Sequence, residues 1–75
     1  MADKYSVMGI VSSAKESRPF PLKSVKRRDI DEDKMKRYCR EMLNKVQVEY
    51  NEHLRIELWL HRDNGISENI YEIEK

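Results

Sequence analysis

The sequence predicts an α+β fold: a small three-stranded sheet, in the chain order β-α-β-β, with one amphipathic helix packed on one face. Three observations carry this expectation. Alternating stretches flank Asn64-Gly65, a helix-period run spans 35–46, and an alternating apolar segment spans 4–12.

In the 4–12 segment, Tyr5, Val7 and Val11 interleave with Met8 and Ile10, the pattern of a strand covered on both sides. Gly9 inside it marks either a bulge or a place where another backbone or ring comes close. From Ser12 to Arg28 the pattern breaks, with Ser12-Ser13, Pro19-Phe20-Pro21 and scattered charge, and about 13–28 reads as a long Pro-containing loop. Unstructured loops beyond about 12–15 residues are uncommon in compact domains unless functional or mobile, so a short extended piece at 22–25 is the alternative.

The helix is expected to start at Asp31, whose carboxylate can cap the first turn, with Glu32 and Asp33 favourable next to the helix N-terminus. Ile30, before the cap, can pack on Met35 as a hydrophobic staple. Met35, Tyr38, Cys39, Met42, Leu43 and Val46 fall on one face at about 100° per residue, and Tyr50 would extend it. Asp33, Arg37, Glu41 and Lys45 recur every fourth residue with alternating sign, a solvated ladder. Asn51-Glu52-His53 is expected to end the helix.

Asn-Gly readily adopts the two positive φ angles of a two-residue type I′ turn, which predicts a hairpin across 54–74. Pairing Asp63 with Ile66 sets Leu60 opposite Asn69, Leu58 opposite Tyr71 and Ile56 opposite Ile73. Leu54, Ile56, Leu58, Leu60, Tyr71 and Ile73 then share the core face. The reverse face carries Arg55 opposite Glu74, Glu57 opposite Glu72, Trp59 opposite Ile70 and His61 opposite Glu68. Glu57 and Glu72 would repel in this register unless Arg55 reaches across diagonally.

The 75 residues fit a single small domain, 1–75, which buries roughly 60% of its unfolded surface, so stability is marginal and partners or dimerisation can matter. Charged and hydrophobic residues each make up 39%, enough apolar material to exclude wholesale disorder. A lone cysteine cannot form an internal disulfide, and the N-terminal residues lack the apolar run of a secretory signal, so a cytoplasmic setting is expected. No segment could span a membrane as a helix. Residues 1–45 hold 12 Lys/Arg against 7 Asp/Glu (+5), and 46–75 hold 3 against 7 (−4), for a net charge of +1. Such a sequence dipole can guide docking, or can vanish when folding interleaves the two halves.

The functional expectations follow from the sheet face opposite the helix. Trp59 and Ile70 on that face, with His61 beside them and Phe20 as a further anchor, form the expected protein-binding set. The competing expectation is that Phe20 and its proline loop fold under the sheet and bury Trp59. The alternative function is nucleic-acid binding by Lys23, Lys26, Arg27, Arg28, Lys36, Arg37 and Arg40, cations that could contact a phosphate backbone. Asp29, Asp31, Glu32 and Asp33 interrupt that run and would repel phosphate.

Catalysis has thin support. Cys39 lies within the apolar helix face, where thiols are inert, and His61 facing Glu68 lacks a nucleophile. No cofactor, metal or small-molecule substrate motif is present: Gly9 and Gly65 are too far apart for a phosphate loop, and His53 and His61 have no cysteine partner. The expectation is a non-enzymatic cytoplasmic interaction protein that binds a protein partner or forms a homodimer. Its small size and opening Met suit an accessory, inhibitor or regulatory role of the kind that phage and mobile elements encode.

Overall fold

A computed structural model describes residues 3–75. Four strands, β1 (Lys4–Ser12), β2 (Ser17–Lys26), β3 (His53–His61) and β4 (Ser67–Glu74), form one antiparallel sheet in the order β2-β1-β3-β4. The single α-helix, α1 (Glu32–Lys45), lies on one face, closest to β3 and β4. The fold is therefore α+β with four strands rather than the expected three.

The added strand is β2, which occupies most of the stretch expected to be a loop at 13–28. Ser13 and Glu16 close the β1–β2 hairpin, with Ser13 N donating to Glu16 O at 2.8 Å. Two prolines in a candidate strand argue against a central position, but an edge strand can hold them with the missing N–H turned away from the ladder. A bulge adds to the disguise. Lys23 pairs with Val7 and Pro21 with Met8, so Leu22 is an extra residue that breaks the alternation. A short 3-10 turn, Arg27–Asp29, leads to the helix, and Arg27 is tied to Asp3 by a backbone bond of 2.9 Å and an ion pair of 3.1 Å.

The core is an alternation read across two strands and the helix. Leu54, Ile56, Leu58 and Leu60 of β3 are buried with Tyr5 and Val7 of β1, beneath Met35 and Cys39 of α1. Each such large apolar side chain contributes roughly 1.5–3 kcal/mol by leaving water. Gly9 sits in the same row as Ile56 and pairs with Phe20. A Cβ on Gly9 would fall far inside van der Waals contact with the Phe20 ring, so the glycine makes room for that ring over β1. Phe20 is thus on the helix side, packed against the core.

Asp31 caps α1 as expected, its carboxylate accepting from Lys34 N at 2.8 Å, and Ile30 packs against the core that contains Met35. Asp33, Arg37, Glu41 and Lys45 all lie exposed. The helix ends at Lys45, earlier than the expected continuation to Tyr50, which is 93% exposed. From Val46 the chain is extended, with Val46 and Val48 packed on the core and Gln47 exposed between them, a period of two that β-branched residues favour. Asn51, with φ of 75°, then reverses the chain into β3.

The C-terminal hairpin forms, but its turn is not type I′. Gly65 N donates to Arg62 O at 3.0 Å and Arg62 N to Ile66 O at 2.8 Å, around a three-residue loop Asp63-Asn64-Gly65. Only Gly65 has positive φ, 87°, while the Asn64 side chain accepts from Ile66 N at 3.1 Å. This is a type I turn closed by a left-handed glycine, and it moves the register by one residue. Trp59 therefore pairs with Asn69, Leu60 with Glu68 and His61 with Ser67. A bulge at Ile70 cancels the offset, so Leu58–Tyr71, Ile56–Ile73, Glu57–Glu72 and Arg55–Glu74 pair as expected.

Two stability measurements check these features. Gly9→Ala should lose about 1–3 kcal/mol by overpacking against the Phe20 ring, and Gly9→Ala with Phe20→Leu should recover part of that loss in urea denaturation. An unchanged midpoint for Gly9→Ala would contradict the packing. At the turn, Gly65→Ala should cost roughly 1–2 kcal/mol, because only this residue is left-handed, and Asn64→Ala should cost less. Equal costs at both positions would instead favour a type I′ turn.

Candidate functional site

The candidate site is the sheet face turned away from α1. Alternation places the remaining side chains of each strand there, and register arranges them in rows. One row runs Lys26, Lys4, His61, Ser67; the next Ser24, Ser6, Trp59, Asn69; then Pro21, Met8, Glu57, Glu72; and then Pro19, Ile10, Arg55, Glu74. Met8 and Ile10 are half-buried, so β1 is covered on one side only, contrary to the two-sided expectation.

The middle of this face is a shallow trough of about 390 Å³, open to solvent and walled mainly by apolar atoms of Met8, Ile10, Pro19 and Trp59. Glu57 lies at its centre and is satisfied within the chain. Its carboxylate accepts from Trp59 Nε1 at 3.0 Å and pairs with Arg55 Nε at 3.0 Å. Arg55 stands opposite Glu74 in the register, and its ion pair with Glu57 offsets the charge of one member of the direct Glu57–Glu72 opposition. The indole is thus tethered through Nε1 to its own strand, half-buried, and lines the trough.

Of the expected protein-binding residues, the structure brings Trp59 and His61 together on this face. Ile70 and Phe20 are not with them. The bulge separates Ile70 from Trp59, and Ile70 packs against the core instead. Phe20 lies on the opposite side over Gly9, so the proline segment neither covers Trp59 nor offers Phe20 as an anchor beside it. Pro19, Met8 and Ile10 were absent from the expected set. Met8 and Ile10 were visible as the alternate positions of the first strand, whereas Pro19 required knowing that β2 exists.

The register shift also changes the partner of His61. Its Nδ1 lies 2.6 Å from Ser67 Oγ, while Glu68, the expected partner, accepts from Arg62 Nη2 at 2.6 Å. Ser67 is exposed, and no carboxylate contacts the other imidazole nitrogen of His61 among the described residues. At the far end of the face, His53 Nε2 meets Glu74 Oε2 at 2.8 Å.

The basic residues at 23–40 are not gathered into one stripe. Lys23 Nζ sits 4.8 Å from the Tyr38 ring on the β2 side of the helix. Lys36 pairs with Glu32 at 3.1 Å and lies 5.5 Å from the Tyr71 ring, and Arg40 donates to Tyr71 Oη at 3.4 Å, both on the β4 side. Three strand spacings of about 4.8 Å separate those two flanks. Arg27 is paired with Asp3, and Lys26 lies on the other sheet face. The two charged halves of the sequence also interleave, as in the Arg18–Glu52 ion pair of 2.6 Å.

Neither sheet edge invites another strand. β2 carries Pro19 and Pro21, and β4 is bulged at Ile70 and carries Glu68, Glu72 and Glu74. No described helix is long and apolar enough to cross a membrane. No protein-family model, curated protein or solved structure matches the chain, so its functional reading rests on its own geometry.

Cys39 is fully buried, and burial pushes its thiol up to about 11, only partly opposed by Arg40. A thiol reagent should therefore label Cys39 slowly in native buffer and stoichiometrically in denaturant. Prompt native labelling would contradict its burial. Because the folded value lies above the ordinary 9.0, this burial contributes stability that is present below pH 9 and is lost as pH rises towards 11.

Proposed function

We propose that this chain is a non-enzymatic interaction protein, with an accessory, inhibitor or regulatory role, that docks a protein partner or a second copy of itself on the sheet face centred on Trp59. One observation carries the reading: the apolar patch of Met8, Ile10, Pro19 and Trp59 lies on a face that no element among the described residues covers. Contiguous apolar surface ringed by polar groups is the usual mark of a contact site. The rim here supplies Ser6, His61 and Ser67 on one side and Glu72 and Glu74 on another.

The shape favours a macromolecule over a small ligand. Small-molecule sites enclose most of their ligand's surface, and this trough stays open along its length. A single indole, with no second aromatic beside it, also gives little for stacked bases, and four of the seven cations at 23–40 already have partners within the chain.

The test compares proteins captured from a native cell extract by the wild-type chain and by Met8→Lys. The new ammonium lies opposite Glu57, so the variant should keep its circular dichroism spectrum and a midpoint within about 1 kcal/mol of wild type. Capture should be lost. Capture that persists with the folded variant would show that the face is not a docking site.

A further inference from the structure

Resting on that docking reading, we infer that the occupant of the open sheet face is a second copy of this chain, packed face to face as a two-fold dimer.

The first support is area. Four strands at about 4.8 Å and nine residues at about 3.4 Å give a face about 19 Å across and 30 Å long, close to 600 Å². Two such faces bury about 1,200 Å² together, at the lower bound for a specific stable interface. A lone helix about 10 Å wide would cover only about half of the face. The occupant that reaches the required area is broad and flat, and the chain itself, a slab 15 Å thin with one bare sheet face, has that shape.

The second support is charge. Lys4, Lys26 and Arg55 on this face balance Glu57, Glu72 and Glu74, so the face as a whole is neutral and calls for no oppositely charged partner. Its one central acid is already engaged by Arg55 and Trp59, which lowers the cost of drying it. The third support is the edges. With prolines on β2 and acidic residues and a bulge on β4, the sheet is not built to grow sideways, which leaves stacking as the route by which two copies meet.

Trp59 is the sole tryptophan and sits in the contact, so it reports on association without any substitution. On dilution of the full-length chain, sedimentation velocity should show the mass fall to half, and the Trp59 emission should move to longer wavelength in step with it. Met8→Lys, still folded by circular dichroism, should sediment as a monomer at concentrations where wild type is a dimer. A wild-type chain that stays monomeric in concentrated solution overturns the inference, and if Met8→Lys still abolishes capture from extract, the docking reading stands without it. A dimer whose mass Met8→Lys leaves unchanged, or whose Trp59 emission ignores dilution, places the contact elsewhere and also overturns it.

Discussion

The strict two-residue period of β3 is the constraint from which the rest of the structure follows. Leu54, Ile56, Leu58 and Leu60 all lie under the helix, so Arg55, Glu57, Trp59 and His61 have no choice but to face the other way. Because β3 lies beside both β1 and β4, it transmits that division to its neighbours. Tyr5, Val7 and Gly9 are drawn into the leucine rows, and Met8 and Ile10 are left beside Glu57 and Arg55. A slip of one residue would bury Arg55 and Glu57 and expose three leucines and an isoleucine, an exchange no local adjustment could offset.

That division was legible from the residues alone, as were the Asp31 cap, the buried helix positions Met35 and Cys39, and the inner pairs Leu58–Tyr71 and Ile56–Ile73. Gly9 was legible as a place of close approach, and the approaching group is the Phe20 ring. What was not legible shares a physical cause: local irregularity that a simple period cannot express. β2 hides behind two prolines that only an edge strand tolerates and behind a bulge at Leu22. The helix end is set by Val46 and Val48 changing to a period of two. In the hairpin, a three-residue turn and a bulge at Ile70 cancel each other, which preserves the core pairs and displaces only the three pairs between them.

The candidate site was half legible for the same reason. Trp59 and His61 face outward because β3 alone dictates it. Ile70 depended on an unbroken register, and Phe20 on where β2 runs, so both left the set once the bulges were in place. The apolar residues that join Trp59 come from the strand across from it, Met8 and Ile10, and from the edge, Pro19. A sheet with one face in the core and the other bearing an apolar patch remains a half-finished sandwich. With eight hydrophobic residues in the buried core among the described residues, such a chain gains stability from any partner that covers the second face.

Nuclear Overhauser contacts of the Trp59 indole in a dilute sample test this account most directly, because every inference about the open face depends on which side of the sheet that ring occupies. Contacts from the indole to Ser6 and Met8, together with contacts from Ile70 to core side chains, are the result expected. Contacts from the indole to Met35, Cys39 or Leu58 would contradict it.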